Sequence, residues 1–223
     1  MGYRWDFSGL VPYAPALTYG VIVTLELSLL ASLIGTILGV PLAMMLRARR
    51  AVSAPTAFCV DIVRAIPNLV LIFFFYYFPY EEVLGLRALS GFASVLAALV
   101  LAQAAYSADL FRTALHQVPR AQVLGVEAIG FKPHQVVRFV IVPSVAKQVL
   151  PGHVALWIGN LKLSSLASVI GVGDVVFVAR IAMSQTFRSL EAWTVVALVY
   201  CVIVLPLAYG LRRLERSAWI RRQ

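Results

Sequence analysis

A chain of 223 residues that is 61% hydrophobic and only 13% charged, with a mean hydropathy of +0.87, carries more apolar surface than a soluble core of this size can bury. It belongs with integral membrane proteins. The net charge of +9, from 19 Lys and Arg against 10 Asp and Glu, would suit a nucleic-acid surface, but the basic residues sit at the ends of apolar runs and not along one face, so lipid is the expected partner and nucleic acid is not.

The N-terminus lacks the basic stretch that precedes a signal-peptide core, and its first apolar run is too long for one, so that run is expected to be retained. Met1-Gly2 opens like a myristoylation signal, but Asp6 stands where Ser or Thr is required. Apolar runs fall at 17–46, 55–80, 89–115, 149–172 and 192–211, each long enough for the roughly 20 residues that span a bilayer. Five transmembrane helices in an all-α membrane protein are predicted. Arg47, Arg49 and Arg50 follow the first run; Arg112, Arg120, Lys132, Arg138 and Lys147 lie between the third and fourth; Arg212, Arg213, Arg216, Arg221 and Arg222 follow the fifth. The opposite loops hold only Arg4, Arg87, Arg180 and Arg188. Positive charge on the inner side therefore puts the N-terminus outside and the C-terminus in the cytoplasm.

Ionisable residues inside the runs are expensive in lipid and so point to a pathway or to a latch between helices. Glu26 lies about 14 Å into the first run and is expected to face protein or water. Gly35 and Gly39, four apart, permit close packing of a neighbouring helix. Asp61 and Arg64, three apart, share a helix face, and Asp61 and Asp109 are each 24 positions from Gly85, which predicts one Asp61, Arg64, Asp109 cluster. Static clamp and substrate contact both remain open for it. Tyr76, Tyr77, Phe78 and Tyr80 suit an interfacial aromatic belt, with lining of an outer vestibule as the alternative.

The polar island at 116–147 interrupts this pattern. Pro119 suits a first helical position, Gly130 a left-handed closing residue, and Pro133 a stop, so a helix over 119–129 is predicted. At about 16 Å it is too short to cross a bilayer and must lie beside it. Further on, Lys162 is about 20 Å into the fourth run, with Asn160, Ser164, Ser165 and Ser168 around it; the serines can hydrogen-bond between helices. Residues 174–191 read either as an outer amphipathic segment or gate or as a solvated loop. Cys59 and Cys201 read as small hydrophobes within apolar runs, and His116, His134 and His153 lack metal-ligand spacing. No Gly-x-x-x-x-Gly-Lys-Ser/Thr occurs, so the chain holds no nucleotide in a P-loop. No nucleophile, base and metal set for an enzyme is visible, and with no repeat or linker residues 1–223 form one transmembrane domain.

Several of these stretches resemble the permeases of ABC importers for polar amino acids, the histidine, glutamate, glutamine, arginine and opine group. They are Tyr19-Gly20-Val21-Ile22-Val23-Thr24-Leu25, Asp61-Ile62-Val63-Arg64-Ala65-Ile66-Pro67, Ala105-Tyr106-Ser107-Ala108-Asp109, Lys162-Leu163-Ser164-Ser165-Leu166 and the terminal Leu214-Glu215-Arg216. The order Gln122, Ala128-Ile129-Gly130, nine residues, Val140-Ile141-Val142-Pro143 is similar to that group's coupling loop, except that Leu124-Gly125-Val126 replaces its Glu-Ala-Ala. Glu127 lies three positions past the missing glutamate. The resemblance implies a type I importer domain in a bacterial inner membrane, with a cytoplasmic coupling helix that uses Pro119, Arg120, Gln122, Leu124, Glu127, Ala128, Gly130 and Phe131. It implies a path or polar cluster of Glu26, Asp61, Arg64, Asp109, Asn160, Lys162, Ser164 and Ser165. The implied partners are a cytoplasmic ATPase dimer that binds the ATP and Mg, an extracytoplasmic binding protein and a second permease. The lost glutamate favours a related chain over an identical one as that second permease. The competing reading, a secondary transporter or channel for small polar solutes, must fit a pathway into five spans without an inverted repeat.

Overall fold

Proline and glycine placement decides where the apolar runs bend. In the computed structural model, which describes residues 3–220 and side chains up to residue 213, every element is helical. A 3-10 turn at Ser8–Tyr13 leads into α1 (Ala14–Met45). The second apolar run is not one rod. It forms α2 (Arg50–Ala65) and α3 (Asn68–Tyr77), bent by 99° where Pro67 keeps Ile66 out of the helical region, at φ −79° and ψ 128°. After the short α4 (Tyr80–Leu84), α5 (Gly91–His116) starts at Ser90, whose hydroxyl accepts the Ala93 N–H at 3.2 Å.

Then come α6 (Arg120–Ala128), α7 (Pro133–Val136), a π turn at Val137–Ile141, α8 (Val142–Leu163) and its 3-10 extension Ser164–Ile170. Pro133 was expected to stop a helix; it opens one instead, at the position where its missing N–H is harmless. The fourth span therefore starts at Pro133 and not at residue 149, and Arg138 and Lys147 ride on it instead of in a loop. Residues 174–191 are not a solvated loop: α9 (Val175–Thr186) buries Val175, Val178, Ala179 and Ala182. The chain closes with α10 (Ser189–Ile220). Among the described residues four helices are long and apolar enough to cross a membrane, five if the bent α2–α3 pair counts as one. The side chains of Leu214-Glu215-Arg216, Arg221 and Arg222, counted above as a basic tail, lie outside the described residues.

The core is built on α1 against α5. Val23, Leu27 and Ala31 pack with Val95, Ala98, Leu99 and Ala102, and Leu71, Ile72 and Ala167 close the cluster. The two helices approach so closely because Gly35 and Gly39 have no side chain; a Cβ on either would stand 2.5 Å from the Cβ of Gln103 or Ser107. A second cluster of Leu46, Val60, Ala105 and Ala108 fixes α2, and α10 lies on α8 and α9 with Leu198, Val202 and Leu205 uncovered.

The N-terminal segment is clasped to the start of α10. The Tyr3 hydroxyl and the Asp6 N–H both donate to the fully buried Glu191, the latter at 3.0 Å, and Arg188 reaches Asp6 at 3.2 Å and Glu191 at 3.7 Å. Hydrogen bonds from the Ser8 hydroxyl and N–H, aided by Arg188, hold the Asp6 carboxyl below the usual carboxylate range. Its contribution to stability is thus present above that range and lost as pH falls through the lowered value.

Two outcomes follow from this packing. Gly39→Ala should lower the melting temperature by several degrees, as overpacking of about 1–3 kcal/mol implies, whereas Gly159→Ala, with nothing within 4 Å of the added carbon, should leave it unchanged or raised. Hydrogen exchange followed while pH is lowered below about 4 should show residues 3–13 opening before the spans do.

Candidate functional site

Sequence analysis singled out an exposed hairpin and a set of intramembrane polar residues. The hairpin is short-range in origin. Pro119, extended at φ −64° and ψ 122°, receives the Gln122 N–H at 3.0 Å and starts α6. At the far end Gly130 adopts φ +91°, its N–H bonds to Glu127 O at 2.9 Å and that of Phe131 to Val126 O at 3.1 Å. Gln135 Oε1 accepts the Lys132 N–H at 2.8 Å and launches α7. No residue of α6 is buried; Arg120, Gln122, Leu124, Glu127, Ala128 and Gly130 are exposed and Phe131 is half-buried. Arg120 to Ala128 thus lies within the helix anticipated over 119–129.

The stems of this hairpin pack on each other. Ala114, Val145 and Val149 form a buried cluster with Leu110, Val118 and Ile141, so the end of α5 is packed against the start of α8 on either side of α6. Between α6 and α8 opens a cleft of about 760 Å³ lined by Gln117, Gln122, Val126, Phe139, Pro143 and Lys147.

The intramembrane residues divide. Arg64 Nη1 meets Asp109 Oδ2 at 3.0 Å and the guanidinium sits 5.3 Å from the Tyr106 ring centre, so this pair bridges α2 and α5. Asp61, expected in the same cluster, is exposed and joins no ion pair among the described residues. On α2 Arg64 lies one turn past Val60, which packs on α5, and is about 40° from it around the helix, whereas Asp61 is about 100° away and faces outward. Glu26 and Lys162 are exposed on the surface of this chain. Asn160 is buried and donates to Gln103 Oε1 at 3.0 Å and Ser32 Oγ at 3.2 Å. The serines do not bond between helices: Ser164, Ser165 and Ser168 donate to the carbonyls of Leu161, Lys162 and Ser165, at 2.8, 2.6 and 2.9 Å, within their own segment.

Two polar residues escaped the sequence reading. Gln103, 2% exposed, is the hub of the bundle: besides accepting from Asn160 it donates to Thr36 and Ser107, both at 3.3 Å, and Trp157 donates to the same Thr36 at 3.4 Å. An uncharged amide in an apolar run carries no signal alone, although its spacing of four from Ser107 was available. Asp174 caps α9 by accepting the Phe177 N–H at 2.8 Å, and burial pushes its carboxyl up to about 6. An acidic residue just before an apolar helical stretch is the signal that was passed over.

Long apolar helices are joined between α5 and α8 by a short helix, α6, that buries none of its residues. Residues 14–219 match the family described as the binding-protein-dependent transport system inner membrane component. The chain belongs to that family and is an ABC importer permease subunit. It is 29% identical to the arginine transport system permease protein ArtQ of Bacillus subtilis, over 95% of this chain and 96% of that one. It is 30% identical to the octopine transport system permease protein OccM of Rhizobium meliloti, over 93% and 88%. A crystal structure of an amino acid ABC transporter with histidines superposes with a TM-score of 0.84 at 29% identity, over 96% of this chain and 100% of that one.

Thermal melting separates the roles of the two polar clusters. Gln103→Leu leaves one N–H of the buried Asn160 amide without its acceptor and should destabilise by about 1–3 kcal/mol. Arg64→Met breaks a pair whose side chains remain 34% and 41% exposed and should cost less than about 1 kcal/mol. The reverse order would make the ion pair, and not the amide network, the anchor of the bundle.

Proposed function

We propose that this chain forms half of the translocation path of an importer for polar amino acids or opine-like compounds in a bacterial inner membrane. The N-terminus lies outside and α6 in the cytoplasm, where a cleft on a partner ATPase receives it. That partner, not this chain, binds and hydrolyses ATP with Mg. A second permease, a related chain in view of the missing motif glutamate, completes the path, and an extracytoplasmic binding protein delivers the solute. The observation that carries this reading is α6 itself: an exposed helix whose stems are bonded through Ala114, Val145 and Val149 to two spans. The relatives that transport arginine and octopine support the solute class.

The mechanism is mechanical. Closure of the ATPase dimer moves α6, and the clustered ends of α5 and α8 tilt with it. Because Gln103 and Asn160 tie α8 to α5 and α1, the tilt is carried into the bundle as a rigid motion. Glu26, Lys162 and the outward-facing part of Ser165 lie on surface that this chain leaves uncovered, and face the path between the two permeases. Asn160 and Ser164, being buried, position those groups and do not touch solute. Solute shifts the two states only through its different affinity for each.

Gly130→Val tests the lever. Gly130 has φ +91° with nothing within 4 Å, so the substitution strains the backbone without a clash. In proteoliposomes with the partner subunits, uptake should fall at least tenfold while ATP hydrolysis continues and the chain still inserts. Uptake equal to the unaltered protein would remove α6 from the coupling step.

A further inference from the structure

The end of the molecule that bears the N-terminus carries aromatic side chains that its own core does not use. Residues 3–7 form a strap without helical structure, and along it Tyr3, Trp5 and Phe7 alternate with Arg4 and Asp6. Asp6 takes the inner side. Its N–H donates to the fully buried Glu191 at 3.0 Å and its carboxylate accepts from Arg188 at 3.2 Å, while Leu10, just beyond, is buried between Ala182 of α9 and Ala192 of α10. The rings stay outside: Trp5 is 56% exposed, with Tyr3 edge-on at 5.5 Å and Phe7 stacked at 5.8 Å between centroids. Phe187, next to Arg188, closes α9 at φ +57°, a left-handed conformation that glycine adopts freely and an aromatic residue does not, and it is 87% exposed. Leu190 and Trp193, on the first turns of α10, continue the uncovered apolar surface.

A strap bathed in water would have these sides reversed, with its carboxylate in solvent and its rings against the core. The neighbouring span identifies the medium. Only 6% of the most apolar stretch of α10 is buried, so that helix stands at the perimeter of the chain, where lipid meets it around most of its girth. The clasp fixes the strap to the first turn of this span, at the depth where hydrocarbon gives way to headgroups. Trp and Tyr prefer that level because one end of each ring is apolar and the other polar, and the exposed Arg4 between them reaches lipid phosphates from it. We propose that Tyr3, Trp5 and Phe7, together with Phe187, form an anchor seated in the headgroup layer of the phospholipid bilayer. Because the strap is bonded to α10 and leads directly into α1, the anchor holds the starts of both helices at one depth in the membrane.

The full chain, assembled with its partner subunits, is reconstituted into phosphatidylethanolamine and phosphatidylglycerol vesicles whose acyl chains are unlabelled, brominated near the headgroup or brominated near the chain ends. Trp5 emission is the difference between the unaltered protein and Trp5→Phe, a conservative change on an exposed ring that leaves the clasp intact. That emission should fall by about half with the shallow bromines and by less with the deep ones. Equal emission in all three vesicles overturns the proposal, as does stronger quenching by the deep bromines. So does an emission that is indifferent to bromine and changes only when the extracytoplasmic binding protein is added, a result that makes the strap a protein-docking surface.

Discussion

The closeness of α1 and α5 is the constraint from which the rest of the bundle follows. Lipid offers no hydrogen bonds, so polar groups in the spans must find partners within protein, and helices there gain from contact only if their backbones come near. Gly35 and Gly39 supply the nearness, and Gln103 supplies the polar tie just where they do. From that crossing the amide reaches Asn160, and through it α8 is held in register with the core. α3 packs against the same seam through Leu71 and Ile72, although its helix has been turned by 99° at Pro67.

The opposite property, absence of contact, marks other parts of the chain. α6 buries nothing, α10 shows an apolar flank, and Glu26, Asp61 and Lys162 point away from their own chain. A subunit built this way is incomplete alone. Its interior is tied together while these surfaces stay uncovered, as suits a family described as the inner membrane component of binding-protein-dependent transport systems. At the end bearing the N-terminus the logic is reversed: Tyr3, Asp6, Arg188 and Glu191 satisfy one another, so that segment is closed onto the bundle.

Much of this was legible in the residues. The hairpin could be read because its punctuation is local: Pro119 and Gly130 impose their own dihedrals whatever surrounds them. Apolar runs located the spans for the same kind of reason, since length and hydropathy are properties of a segment. Errors came where a local rule met a longer structure. Pro133 and Pro67 were both visible, yet whether a proline ends, starts or bends a helix depends on what the flanking residues pack against. The serines after Lys162 were read as links between helices, and the nearest acceptor turned out to be their own backbone.

By itself the sequence determined that this protein is a membrane protein, roughly where its apolar segments lie, and where a short polar helix stands between two of them, because hydropathy and backbone stereochemistry are written residue by residue. Only the tertiary structure decided which polar side chains meet. Arg64 finds Asp109 while Asp61 is left out, Gln103 becomes the hub, and Asp174 ends up buried at the start of α9. Those outcomes depend on the relative rotation and depth of helices far apart in the chain, which no spacing within one segment can encode.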